Sequence, residues 1–200
     1  MDIKTLRDRA INRSDMAVRV THLTKGMNDE EAFERLWKIL TDKKLKGSDN
    51  SGFIVGKERA VCFQDLPLIN IAENLQYEDI LGDKIRYSWF GLRFNKIQLY
   101  KRGLRPVIYG ATNVLKSDLT EKQYWRIVNL DYSDYNNVID WSHEREWRVK
   151  GDLEFEYNEI EILVKNNTYY RKFICRCVDE NRMDILKNIH GIIPLNTVLL

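Results

Sequence analysis

The chain has 200 residues, 44% hydrophobic and 31% charged, with a formal net charge of +2. That balance excludes general disorder and allows a domain that buries roughly two thirds to three quarters of its unfolded surface. It gives no support for the strong, counterion-driven nucleic-acid affinity of basic proteins.

Ile3, Leu6 and Ala10 recur at helical spacing and predict a short basic helix over 3–13. Val18 to Thr24 reads as a first strand, with Val18, Val20 and His22 on one face and Arg19, Thr21 and Leu23 on the other. After Asn28 the acidic run Asp29–Glu31 and the stripe Phe33, Leu36, Trp37, Leu40 predict an amphipathic helix. Lys46 to Gly56 is loop-like. A short strand follows over Ala60–Phe63, then a helix carrying Leu68, Ile71, Ala72 and Leu75. Tyr87 to Phe94 alternates as a strand, Asn95 to Gly103 brackets a short helix, and Pro106 to Tyr109 is another strand.

Asp118 with Glu121 resembles a capping box for a helix bearing Tyr124, Ile127 and Val128. Strands are expected over Glu144–Lys150, Leu153–Tyr157, Ile160–Val164, Phe173–Val178 and Thr197–Leu200, with a helix from Asp179 to Gly191. Elements this short that do not alternate regularly imply an α+β fold. No linker or repeat divides the chain, so a single domain over 1–200 is expected, with 1–17 as a helical arm before the body at 18–200.

No stretch approaches the ~20 apolar residues of a membrane span, and the charged N-terminus lacks the apolar core of a signal peptide. Cys62, Cys175 and Cys177 show no disulfide framework, which points to reduced thiols in a cytoplasmic protein without membrane contact. The phosphate-binding glycine loop and the nucleophile elbow are missing, and His22, His143 and His190 do not fall at metal-ligand spacing, so no metal is expected.

The dense feature is His143-Glu144-Arg145-Glu146-Trp147-Arg148. On a strand, Glu144, Glu146 and Arg148 share one face. An exposed ladder of ion pairs explains that as readily as a site does. Chemically, a carboxylate at a strand end suits cleavage of the glycosidic bond of NAD, where it stabilises an oxocarbenium-like centre and helps deprotonate an acceptor. His22, beside Thr24, can anchor a ribose, and Arg59 can grip phosphate. Tyr87 and Tyr109 can stack on a ring, and Arg148 supplies a cation. Each has a plainer reading as core or solvated surface.

The blocks Ala60-Val61-Cys62-Phe63-Gln64-Asp65-Leu66-Pro67-Leu68, Trp89-Phe90-Gly91-Leu92-Arg93-Phe94 and Glu144-Arg145-Glu146-Trp147-Arg148-Val149 resemble the AbiGi-type abortive phage-infection family. Val20-Thr21-His22-Leu23-Thr24, followed by a helix, resembles the opening of DarT-like ADP-ribosyltransferases. The resemblance covers roughly residues 18–165. It implies a split sheet of short mixed or antiparallel strands flanked by helices, NAD as substrate, and a nucleic-acid or protein acceptor. Glu146 would then be the catalytic glutamate, His22 an NAD contact and Arg59 a looser match. The AbiGi-type resemblance also implies an antitoxin role, which leaves open a non-enzymatic protein that binds a toxin or phage-defence partner.

Overall fold

A computed structural model describes residues 2–51, 53–81 and 86–199. In chain order the elements are α1 (Ile3–Ile11), β1 (Arg19–Leu23), α2 (Asp29–Asp42), β2 (Lys44–Leu45), β3 (Ala60–Gln64), α3 (Leu68–Leu81), β4 (Gly91–Asn95), α4 (Lys96–Lys101), β5 (Arg105–Pro106), β6 (Ile108–Gly110), α5 (Thr112–Asp118), β7 (Ile127–Asn129), β8 (Glu146–Lys150), β9 (Leu153–Glu154), β10 (Ile160–Val164), α6 (Asn167–Asp179), α7 (Met183–Asn188) and β11 (Gly191–Pro194). Strands of both senses and separate helices make this an α+β fold. No described helix is long and apolar enough to cross a membrane.

Two compact units share the chain. The first takes Met1–Lys44, Leu66–Asn95 and Phe155–Leu200; the second takes Leu45–Asp65 and Lys96–Glu154. In the first unit the strands run β11-β10-β4-β1, with β1 and β10 antiparallel to β4, and β11 parallel to β10. Asn28 caps α2 by accepting from the Glu31 amide, and the predicted stripe of α2 is buried. Phe33 meets Phe90 edge-on at 6.0 Å, and Trp37 meets Phe173 of α6 at 5.6 Å. Under α3 a separate apolar cluster joins Leu23, Ile71, Ala72, Leu75, Trp89, Leu163 and Leu195. Gly91 is required where β4 passes β1, because a Cβ there would lie 2.3 Å from the His22 carbonyl oxygen.

In the second unit β8 lies between β3 and β5, antiparallel to both, and β6 pairs in parallel with β7. Ile54, Ala60 and Trp125 form its small apolar cluster, with Cys62 packed against it.

Several expectations change. Phe173–Val178 is helical within α6, not a strand: Asn166 caps that helix, and Phe173 and Cys177, four apart, are its buried stripe. Asp118 ends α5 rather than capping a helix. Glu121–Arg126 is a 3-10 turn whose cap, Thr120, makes no side-chain bond, and Ile127 and Val128 lie on β7. Asp179 closes α6, and α7 begins after Arg182. Residues 87–90 are not strand, although Ser88 and Phe90 still exchange backbone bonds with Thr24. The strand expected over Pro106–Tyr109 is two, β5 and β6. The stretch Leu195–Leu199 is a 3-10 turn; Leu200 lies outside the described residues.

Candidate functional site

Strand β8 orders the candidate residues of the second unit. Alternation puts Glu146 and Arg148 on one face, and antiparallel pairing sets Gln64 opposite Glu146 and Cys62 opposite Arg148. Four polar side chains therefore share one face of two neighbouring strands. Arg148 is 1% exposed and Glu146 9%. The Arg148 guanidinium donates from Nε to Glu146 Oε1 at 2.8 Å and from Nη2 to Oε2 at 3.1 Å. Its Nη1 donates to the Trp125 and Ile127 carbonyl oxygens at 2.7 and 3.1 Å. Burial pulls the guanidinium down, yet Glu146 and the Cys62 thiol outweigh it and hold Arg148 above its ordinary value.

Glu144 is not on that strand. It ends a 3-10 turn, Ser142–Glu144, and Arg145 follows in the left-handed region at φ 45°. The expectation that Glu144, Glu146 and Arg148 share a strand face is thus corrected, since the left-handed residue breaks the alternation just before β8 begins. Glu144 nonetheless remains 9% exposed, as buried as Glu146. An open ladder of surface ion pairs does not describe either carboxylate.

Tyr109 of β6 joins this group: its hydroxyl oxygen accepts from the Glu146 amide at 2.8 Å. Burial is the main reason the phenol is pushed up to about 12. The Glu146 amide bond opposes that, and the charges of Glu146 and Glu144 add to it. At neutral pH the phenol keeps its proton. The Cys62 thiol is raised well above its ordinary value, first by burial and then by the Glu146 charge. Gln64 is 6% exposed, and its Oε1 has no partner among the described residues. Sequence reading missed Cys62 and Gln64 as neighbours of the carboxylates, although the pairing of two short strands of equal length held the signal.

Arg59 stands elsewhere. It precedes Ala60, which pairs with Lys150 at the far end of β8, so it is roughly 16 Å along the strand from Glu146. Its Nε donates to the Gly47 carbonyl at 2.9 Å, and Nη2 lies 3.9 Å from Asp152. Arg59 braces a turn. Arg148, likewise, is the internal counter-ion of Glu146 and not a free cation for pyrophosphate.

His22, Thr24 and Tyr87 belong to the first unit. His22 is half-buried on β1 opposite Leu92. The Thr24 hydroxyl is fully engaged, 2.8 Å from Ser88 Oγ and 3.1 Å from the Phe90 carbonyl, where it locks two segments together. Tyr87 packs against the apolar cluster under α3. Among the described residues no group of three His, Cys, Asp or Glu side chains can hold a metal ion.

No family model, no curated protein and no solved structure matches the chain.

Proposed function

We propose that the chain is an ADP-ribosyltransferase-like protein of the AbiGi type with a DarT-like fold, which cleaves NAD and passes ADP-ribose to a nucleic-acid or protein acceptor in phage defence or toxin–antitoxin conflict. The observation that carries this reading is the pair of nine-tenths-buried carboxylates either side of left-handed Arg145, with a protonated phenol at the backbone of the second. Burying two acidic groups two residues apart is costly for folding even where one of them is paired, as Glu146 is with Arg148. Such an arrangement suits a site that meets positive charge.

In this reading the bond between the ribose and the nicotinamide nitrogen breaks, and nicotinamide leaves with the electron pair. Glu146 stabilises the positive ribose centre. A carboxylate offers about four acceptor positions; Arg148 takes two and the Cys62 thiol also bonds the group, which fixes it while leaving room for a ribose hydroxyl. Glu144, on the turn before the strand, receives the proton of the attacking acceptor. His22 is a separate NAD-contact candidate from the resemblance.

Labelled NAD with a cell lysate tests the proposal. Wild type is expected to release nicotinamide and label an acceptor; Glu146→Gln is expected to lose 100-fold or more of that activity, on the order of one electrostatic stabiliser. Glu144→Gln is expected to lose transfer more than NAD hydrolysis. Wild type that does neither ends the enzymatic reading.

One observation favours a second reading. Glu146 and Arg148 satisfy each other, as a purely structural pair does. A non-enzymatic antitoxin that binds a toxin or nucleotide would show NAD binding by calorimetry without turnover, or co-purify with its toxin.

A further inference from the structure

The sheet of the first unit carries a second polar cluster that the reading above does not use. Thr21, Arg93 and Glu161 form one cross-strand row over β1, β4 and β10, and Arg19 stands two residues before Thr21 on the same face. The next row on that face, Leu23, Gly91 and Leu163, runs into the apolar cluster under α3. The opposite face, with Val20, His22, Leu92 and Ile162, is the one that carries the His22 candidate.

Two guanidinium groups share one carboxylate here. Arg19 Nε lies 3.0 Å from Glu161 Oε1, and Arg93 Nη1 donates to Oε2 at 2.8 Å. Arg19 Nη2 also donates to His190 Nδ1 at 3.4 Å. Arginine stays charged at any working pH, so this row holds one positive charge more than negative. Burial is the main force pushing Arg93 below its ordinary value; Glu161 opposes it and Arg19 adds to it.

Three donors remain. Arg19 Nη1, Arg93 Nε and the Thr21 hydroxyl are all buried and have no hydrogen-bond partner among the described residues. Thr21 is 0% exposed. Buried donors are nearly always satisfied, by protein or by ordered water, and three of them on neighbouring positions beside a surplus positive charge favour an acceptor that also carries charge. An acceptor with a single negative charge satisfies both demands at once. We infer that Arg19, Thr21 and Arg93 hold a compact inorganic anion of one negative charge on this face of the sheet.

Thermal unfolding of the full chain tests this. Sodium gluconate is replaced stepwise, at fixed ionic strength, by bromide in one arm and by nitrate in the other. The unfolding midpoint of wild type is expected to rise and saturate in at least one arm, and the arms tell a halide from an oxyanion. Thr21→Val keeps the side-chain shape and removes the hydroxyl; it should fold normally in gluconate and need about tenfold more anion for half the effect. Arg93→Lys keeps the charge, removes Nε, and is expected to do the same. Crystals soaked in bromide provide the direct view, with an anomalous peak within hydrogen-bond distance of these three donors if bromide is the arm that saturates. No saturable rise in either arm, an equal rise in all three proteins, or a Thr21→Val chain already destabilised in gluconate overturns the inference.

Discussion

Arg148 is the side chain on which the second unit's polar face depends, because its three nitrogens tie Glu146 to the Trp125 and Ile127 carbonyls. Removing one partner of a buried pair leaves the other charge uncompensated. Arg148→Leu should therefore cost about 3–5 kcal/mol in urea unfolding, and the double change with Glu146→Leu should recover most of it. Thiol and phenol groups add a pH signature. Burial first of all pushes Cys177 up to about 11, and Tyr109 rises to about 12, from ordinary values of 9.0 and 10.0. Groups raised in the folded state stabilise it fully below their unfolded values. That contribution should disappear as pH climbs from about 9 through about 12, measurable as a falling denaturation midpoint. Over the neutral range a thiol reagent should modify exposed Cys175 quickly, half-buried Cys62 with its raised thiol slowly, and buried Cys177 only after unfolding. Sequence alternation could identify Glu146 and Arg148 as neighbours. It could not displace Glu144, because a single left-handed residue leaves no periodic trace, and Gln64 could be reached only by pairing two strands of equal length end to end.

Among the elements, α2 shows the clearest passage from residues to structure. Its cap, acidic first turn and apolar stripe all agreed, and it ends where Lys43 takes φ 48°. Left-handed backbone disfavours a side chain. Lys43→Gly should leave stability unchanged or raise it by up to about 1 kcal/mol in thermal melts, since the Lys43–Glu156 pair it removes is exposed and contributes little. Strand β1 was legible to within one residue at each end, and helix α3 only in its first half, Leu68 to Leu75, because no periodic stripe carries its second half to Leu81. Helix α6 was not, because Phe173-Ile174-Cys175-Arg176-Cys177-Val178 is rich in residues that favour strands. The four-residue spacing of Phe173 and Cys177 competed with that composition, and aromatic packing against Trp37 decides it. Residues 106–109 misled differently: Val107, whose amide donates to the Glu146 carbonyl, separates two strands belonging to different sheets.

For the whole molecule, the order of segments matters more than their number. Strand β4 lies between β1, made early, and β10, made late. A fragment ending at Asn95 keeps β1 and β4 but lacks β10 and β11, leaving one edge of β4 and its apolar side chains uncovered. Such a fragment should show no cooperative unfolding transition by circular dichroism and should aggregate. Biosynthesis meets the same difficulty. On the ribosome, at about 5–20 residues per second, β4 emerges several seconds before the strand that completes its ladder. During that interval Leu92 and Phe94 are without their eventual neighbours Ile162 and Ile160, so the nascent chain is a natural client for a holding chaperone.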